Sequence, residues 1–179
     1  MAVSTATSSM LEILKKLGEA TPPPIRLSRL MHSPLQDLCS FAVARDKRAV
    51  VPRIFELLAE QSVNLRFITE QPGEMGSRRI QFSFDAEARE RAAQVLEKAE
   101  IATAIDDCKR HEAVVILSVY PFNGQPNLAE RIFTVCRQAG IQIHGANSAT
   151  SVFSCIVSSG QLEALLSGLK KVFVWRLSE

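Results

Sequence analysis

The sequence predicts an α+β fold built from two βαββαβ units in tandem, each an antiparallel sheet with helices on one face. The first observation is an internal repeat: Val51–Ile68, "VPRIFELLAEQSVNLRFI", returns as Ala129–Ala146, "AERIFTVCRQAGIQIHGA". The Arg-Ile-Phe triplets begin at Arg53 and Arg131, an offset of 78 residues without a gap. The second is that strand and helix patterns follow each triplet in the same order. The third is a hydrophobic content of 46%, which supports a real core.

The first unit starts with a strand, "DLCSFAVA", followed by a charged loop and a helix. Apolar residues of the helix are spaced i, i+3, i+4, i+7 from Val51 to Leu58. Next, "VNLRFI" and "RRIQFSF" predict a hairpin, because "EQPGEMGS" between them contains two glycines and a proline. We expect a second helix over "DAEARERAAQVLEKAE" and a closing strand over "IATAIDDC".

The second unit repeats this order. Its elements are strand "AVVILSVY", loop "PFNGQPN", a helix over 128–139, strands "IQIHGAN" and "SVFSCIVS", a helix over 161–169 and strand "VFVW". The βαββαβ order with short connections is typical of a ferredoxin-like unit. We therefore divide the chain at 110, into units 25–110 and 111–179, and leave open whether the last strand pairs with the first unit. The uncovered sheet face in each unit should be covered by the sister unit or by a second subunit, which predicts a homodimer.

A short helix and a proline-rich linker are predicted over residues 1–24. Ser9 and Glu12 form a capping box, Met10 to Leu17 carry an apolar stripe, and "TPPP" follows. Such a stripe packs either on its own domain or on a partner protein.

Charge and composition exclude several classes of function. The net charge of +2 is too small to indicate nucleic acid or an anionic membrane as a partner, and no signal peptide or membrane span is apparent. The four cysteines are scattered among apolar runs, which favours reduced thiols in a cytoplasmic protein. The three histidines do not cluster with cysteines or carboxylates, so we expect no metal and no cofactor. No catalytic motif appears, and we expect no enzyme activity.

Three segments resemble a known family. "RAVVPRIFELLAEQSVNLRFI", the hairpin "GSRRIQFSF" and "QPNLAERIFTVCRQAGIQI" are similar to the tandem ACT domains of the C-terminal regulatory half of aspartokinase, over about Ile25 to Trp175. The kinase half, with its nucleotide-binding Lys-Phe-Gly-Gly start, is not in the sequence. The resemblance implies a free-standing regulatory module that binds a small amino acid, commonly lysine or threonine, at the loops before the first helices and between paired units.

The candidate ligand-binding residues follow from these loops and from the strands beside them. Free N–H groups at a helix start suit a carboxylate, and nearby oxygens accept from an ammonium group. The residues are Asp46, Ala49, Val50, Asn64 and Glu70 in the first unit, and Asn123, Gln125, Asn127, Leu128, His144, Asn147 and Ser148 in the second.

The loops depart from the family pattern. Ala49 and Asn127 stand where the family has glycine, Glu70 replaces a glutamine and Arg66 replaces an acid. Asparagine tolerates the left-handed conformation, so the Asn127 loop should keep its shape while the Ala49 loop changes. These departures leave two outcomes: a different ligand, or none.

Each candidate also has a purely structural interpretation. Asp46 beside two basic residues is ordinarily solvated, and Asn64 can serve only to shape a turn. Asn-Gly and Gln-Pro, at 123–126, are ordinary turn formers, and a lone strand histidine such as His144 is more often structural.

Three hypotheses remain. In the first, the chain is a non-catalytic sensor that binds a free amino acid and controls a partner enzyme. In the second, it is a protein-interaction scaffold that has lost its ligand. In the third, it is a regulatory subunit or fragment of an aspartokinase, with activity only in the complex.

Overall fold

A computed structural model of the protein describes residues 24–122 and 127–175. The predicted N-terminal helix therefore lies outside the described residues. The strands in the described ranges are β1 (Ile25–Arg26), β2 (Arg29–His32), β3 (Gln36–Val43), β4 (Leu65–Pro72), β5 (Arg78–Asp85), β6 (Ile105–Tyr120), β7 (Gly145–Ser148), β8 (Phe153–Ser158) and β9 (Phe173–Val174). The helices are α1 (Val50–Glu60), α2 (Arg89–Leu96), α3 (Ala99–Ala102), α4 (Leu128–Gln138) and α5 (Leu162–Leu169).

The repeat found in the sequence extends to the way the two equivalent helices end. After α1, Ser62 adopts a positive φ of 53°, and the Val63 N–H donates to the Leu58 carbonyl. After α4, Gly140 has a φ of 65°, and the Ile141 N–H donates to the Cys136 carbonyl. Both ends use a left-handed residue to close the last turn, 78 positions apart.

The second helix of the first unit is interrupted, contrary to the single helix predicted over residues 85–100. α2 ends at Leu96, Lys98 has an extended ψ of 133°, and α3 begins at Ala99. The strand predicted over 101–108 begins only at Ile105, because Ile101 is fully buried as part of α3. A short apolar run such as "IATA" fits a buried helix as well as a strand.

β6 is one continuous strand of 16 residues, where the sequence predicted two strands separated at 110. Its first half pairs with β3, and its second half pairs with β8 on one side and β2 on the other. One sheet of seven strands results, in which the first unit has the order β4-β5-β3-β6 and the second unit β7-β8-β6-β2. The 110/111 boundary thus falls inside a strand that both units share.

The fourth strand of the second unit comes from the N-terminal side of the chain. β2 pairs antiparallel with β6 at that place, while the last strand, β9, pairs in parallel with β1. The strand predicted over 141–147 is shorter than expected and begins at Gly145.

The core has three parts. The helices of each unit cover one face of its strands, and the two resulting clusters centre on Phe41 and Phe82 in the first unit and on Leu117 and Ile132 in the second. The third cluster lies between the helix-free faces of the two units and contains Leu38, Phe67, Val114 and Ile156. The sister unit therefore covers the face that the sequence left uncovered. The α+β fold of two ferredoxin-like units is confirmed.

Candidate ligand-binding site

The loop before α1 is closed by its own basic side chains. Lys47 Nζ donates to the Thr103 carbonyl at 2.9 Å, and Arg48 Nη2 donates to the Gly76 carbonyl at 2.8 Å. Asp46 and Ala49 are exposed, and Val50 is half-buried at the first position of the helix. The loop is thus tied to its neighbours at two points, and Asp46 forms no ion pair with another described residue.

Asn64 and Glu70 lie outside this loop. Asn64 follows the far end of α1, about 16 Å from its start at 1.5 Å per residue. Glu70 is exposed on β4 and forms an ion pair with Arg78 at 3.4 Å, on the hairpin whose Gly76 carbonyl accepts from Arg48. Asn64 therefore lies at the opposite end of α1 from Asp46, Ala49 and Val50.

The second-unit loop is described only from Asn127, so Asn123 and Gln125 lie outside the described residues. Asn127 is exposed immediately before α4 and has φ −88° and ψ 0°. It therefore does not adopt the left-handed conformation that asparagine tolerates. Its carbonyl accepts a hydrogen bond from the Arg131 N–H, and its side chain forms no capping hydrogen bond with the start of α4. Leu128 is fully buried in the core, where its side chain serves packing.

His144 lies between the two units and forms contacts with both. Its Nε2 is 3.0 Å from Ser158 Oγ, and its carbonyl accepts from Gln81 Nε2 of the first unit at 2.9 Å. Its ring stacks on His111 with centroids 4.4 Å apart. Burial, and secondarily the charge of His111, lower the pKa of His144 below its usual value. Sequence spacing gave no signal for the His111 partner, 33 residues away.

A cleft of about 380 Å³ opens between the helix-free faces of the units. One wall belongs to the second unit, where Met31, Ser118, Ser154 and Asn147 form a row across four strands in register. Ser118 Oγ and Ser154 Oγ are 3.0 Å apart. Among the predicted residues in the described ranges, Asn147 alone lines this cleft; Ser148 is exposed on the next position of β7.

The opposite wall of the cleft comes from β4 of the first unit. Arg66 places a half-exposed guanidinium there, with its Nε 3.3 Å and its Nη2 3.4 Å from the two oxygens of Asp85. Phe67 and Ile116 supply apolar surface, and Tyr120 lies further along β6. The cleft therefore combines one cation, several hydroxyl and amide groups and an apolar floor, which suits a small zwitterion.

Two other cavities are less suited to a ligand. A pocket of about 240 Å³ beside α2 contains charged residues that are already paired with one another. Buried Asp37 accepts from Arg89 at 2.5 and 2.9 Å and from the Ala113 N–H at 3.0 Å. Arg89 also forms an ion pair with Glu112. A groove of about 390 Å³ between α4 and α5 is lined mainly by small and apolar residues.

The described ranges contain no group of three or more histidines, cysteines or carboxylates placed to hold a metal ion. None of the helices there is long and apolar enough to cross a lipid bilayer.

The fold is that of the regulatory part of aspartate kinases, two ACT-like units in tandem, and it covers most of the chain. The regulatory subunit of aspartate kinase from Thermus thermophilus, in its ligand-free form, superposes with a TM-score of 0.71 at 15% identity, over 83% of this chain and 99% of that one. The aspartate kinase from Synechocystis gives 0.73 at 17% identity, over 86% of this chain and 28% of the other.

A third similar structure is E. coli aspartokinase III in complex with lysine and aspartate, with a TM-score of 0.59 at 13% identity. The match covers 87% of this chain and 35% of the enzyme. No protein-family model and no curated protein sequence matches the chain.

Proposed function

We propose that the protein is a non-catalytic regulatory module that binds a free amino acid of the lysine or threonine class and controls a partner enzyme, such as the catalytic subunit of an aspartokinase. The observation that carries this proposal is the cleft between the two units, with Arg66 on one wall and a polar row on the other. A ligand held there contacts both units at once.

The residues of the cleft divide naturally between the two charges of an amino acid. The guanidinium of Arg66 can receive the carboxylate, since its two bonds to Asp85 are long and lie at the surface. The hydroxyls of Ser118 and Tyr120 and the amide of Asn147 can accept from the ammonium group. Phe67 would contact the apolar part of the side chain.

Regulation follows from the position of the cleft. A ligand that binds one relative arrangement of the units more tightly shifts the population toward it, and a partner that also distinguishes the arrangements is affected equally. The similar Thermus thermophilus protein is a regulatory subunit, and the similar E. coli enzyme was captured with lysine, which supports both the partner and the ligand class.

We place this module in the cytosol, as a homodimer. β4 ends the sheet with its outer edge unpaired within the described residues, and Ile68 on it is 52% exposed. An unpaired edge of this kind favours strand addition from a second copy. Light scattering at micromolar concentration is expected to give the mass of a dimer, and a monomer would contradict the assignment.

A thermal-shift screen against free amino acids, followed by calorimetry on the hits, tests ligand binding. A ligand that binds only the folded chain raises the melting temperature by mass action, and we expect a selective rise with lysine or threonine. Arg66→Gln should weaken binding at least about tenfold, since it removes a charge-assisted pair. Arg53→Gln, which changes an equally exposed arginine on α1, is the matched control. Equal affinity of the two variants for the amino acid would refute the assignment of Arg66 to the binding site.

The second candidate function is a scaffold without a ligand. It is favoured by the first-unit loop, where Lys47 and Arg48 are bonded to neighbouring backbone and Ala49 replaces the family's glycine. A screen without any thermal shift, together with co-purification of a partner enzyme that amino acids do not affect, would support this alternative.

A further inference from the structure

Two cysteines from distant parts of the sequence lie together on neighbouring strands of the first unit. Cys39 on β3 and Cys108 on β6 are 69 residues apart, and their Sγ atoms are 4.0 Å apart. Cys39 is 1% exposed, whereas Cys108 is exposed. One thiol is therefore open to solvent and the other lies just beneath it.

The two cysteines are diagonal neighbours in the sheet, because Cys39 pairs with Arg110, two residues from Cys108, and an irregularity follows directly. The pairing of β3 with β6 shifts between Ser40 and Ala42, and Asp107 adopts a positive φ of 47° there. An extra residue on one strand redirects the side chains beside it. Asp107 is held by Arg79 at 2.7 Å and Lys109 at 3.3 Å, so the bulge that carries Cys108 is anchored.

We propose that Cys39 and Cys108 form a reversible disulfide when hydrogen peroxide oxidises the protein, which makes this pair a redox modification site. The Cys108 thiolate attacks one peroxide oxygen, the O–O bond breaks, and the departing hydroxide takes up a proton to leave as water. The Cys39 sulfur then attacks the Cys108 sulfenic acid, loses its proton, and a second water leaves as the S–S bond forms. Two thiols and one peroxide thus give one disulfide and two waters.

The surroundings assign a different role to each cysteine. Burial, followed by the proximity of Cys108, raises the pKa of Cys39 well above its usual value, so Cys39 stays a thiol and does not react first. An S–S bond requires about 2 Å between sulfurs. The proposal therefore requires the exposed Cys108 side chain to rotate and close the remaining distance of about 2 Å.

The other two cysteines provide an internal control. Cys136 and Cys155 both lie in the core of the second unit, 2% and 0% exposed. Burial raises the pKa of both thiols, that of Cys155 to about 12. Cys39 is equally buried, but it has the solvent-exposed Cys108 beside it, whereas Cys136 and Cys155 are both buried. Peroxide should therefore leave Cys136 and Cys155 reduced while the chain is folded.

Peptide mapping of the full chain after treatment with hydrogen peroxide tests the proposal. We expect a cross-link between the Cys39 and Cys108 peptides, a loss of two hydrogens in the intact mass, two remaining thiols, and full reversal by dithiothreitol. Cross-linking a loop of this length should raise the melting temperature by roughly 10 °C. Cys108→Ser should keep Cys39 reduced, and Cys39→Ala should leave a Cys108 sulfenic acid that dimedone traps.

Over-oxidation of Cys108 to the sulfinic acid without a cross-link in the wild-type chain would overturn the proposal. So would a thiol count that stays at four, or a disulfide that forms only after unfolding in urea. Peptide mapping of the wild-type chain tests the proposal without any substitution, so misfolding of the Cys39→Ala variant would not affect that test. Because it involves neither the cleft nor Arg66, its outcome is independent of amino-acid binding.

Discussion

Replacing Phe67 with alanine measures how strongly the helix-free faces hold the two units together. Phe67 is 4% exposed and packs in the inter-unit cluster with Leu38, Val114 and Ile156. A Phe→Ala change in such a setting costs about 3–5 kcal/mol, because it removes buried apolar surface and leaves a cavity. Domains are typically stable by about 5–15 kcal/mol, so the substitution should remove a large fraction of the stability.

The measurement is urea unfolding followed by circular dichroism, with thermal melting alongside. At about 2–4 °C for each kcal/mol in a chain of this size, the melting temperature should fall by roughly 6–20 °C. The control is Ile68→Ala on the adjacent position of β4, where the side chain is 52% exposed and the expected change is within about 0.5 kcal/mol. A loss below about 1 kcal/mol in Phe67→Ala, or two separate unfolding transitions in the wild type, would refute the argument.

Three further predictions test other features. Ser62→Gly should stabilise the chain by about 0.5–1 kcal/mol, because Ser62 holds a left-handed conformation that glycine adopts without strain. Gly140→Ala, at the equivalent position after α4, should destabilise the chain by about 1 kcal/mol. Urea midpoints that shift in the same direction in both variants would contradict this prediction. Gly168→Ala would place a Cβ 2.5 Å from Val135 Cγ1 and should cost about 1–3 kcal/mol. In a Val135→Ala background, Gly168→Ala should stabilise the chain by up to about 1 kcal/mol, because alanine has a higher helix propensity than glycine. If the cost of Gly168→Ala is the same in both backgrounds, contact with Val135 is not its cause. His144 should make the free energy of unfolding depend on pH, because its pKa is lower in the folded chain than in the unfolded chain. As the pH falls below 6.5, the unfolded chain takes up the proton first. The contribution of His144 to stability is therefore fully present above pH 6.5 and is lost as the pH falls through the folded-state pKa. Urea midpoints should fall with pH below 6.5 in the wild type and less steeply in His144→Gln; identical slopes would exclude His144 as the cause.

The fold was largely predictable because the internal repeat and the two periodicities depend on local sequence. Alternation in "RRIQFSF" and the helical spacing around Ile54 each reflect one buried face, and the structure has both elements within a residue or two of the predicted ends. The continuous β6 was not predictable, because the charged segment "DDCKRHE" is typical of a loop. That segment remains extended through pairing with β3, a contact that no local pattern encodes.

The cleft could be predicted from the sequence only in part, and the reason is register. Asn147 was singled out on the sequence, but its neighbours in the cleft, Ser118 and Ser154, come from strands whose alignment only the sheet defines. Arg66 was noticed as a departure from the family pattern and lines the opposite wall. The loops before the helices were predicted because the resembled family binds its ligand there, although the side chain of Leu128 is buried in the core.

The sharing of β6 has a consequence for the order in which the protein can assemble during synthesis. The strands of the first unit leave the ribosome in one block that ends near Arg110, and they can pair at once. β2 is synthesised before that block but pairs only with residues from Leu117 to Tyr120, so its backbone groups wait for partners until the far half of β6 appears. β1 waits longer, for Phe173. Contacts so distant in sequence form slowly, and the second unit is therefore expected to close last, around a first unit that is already folded.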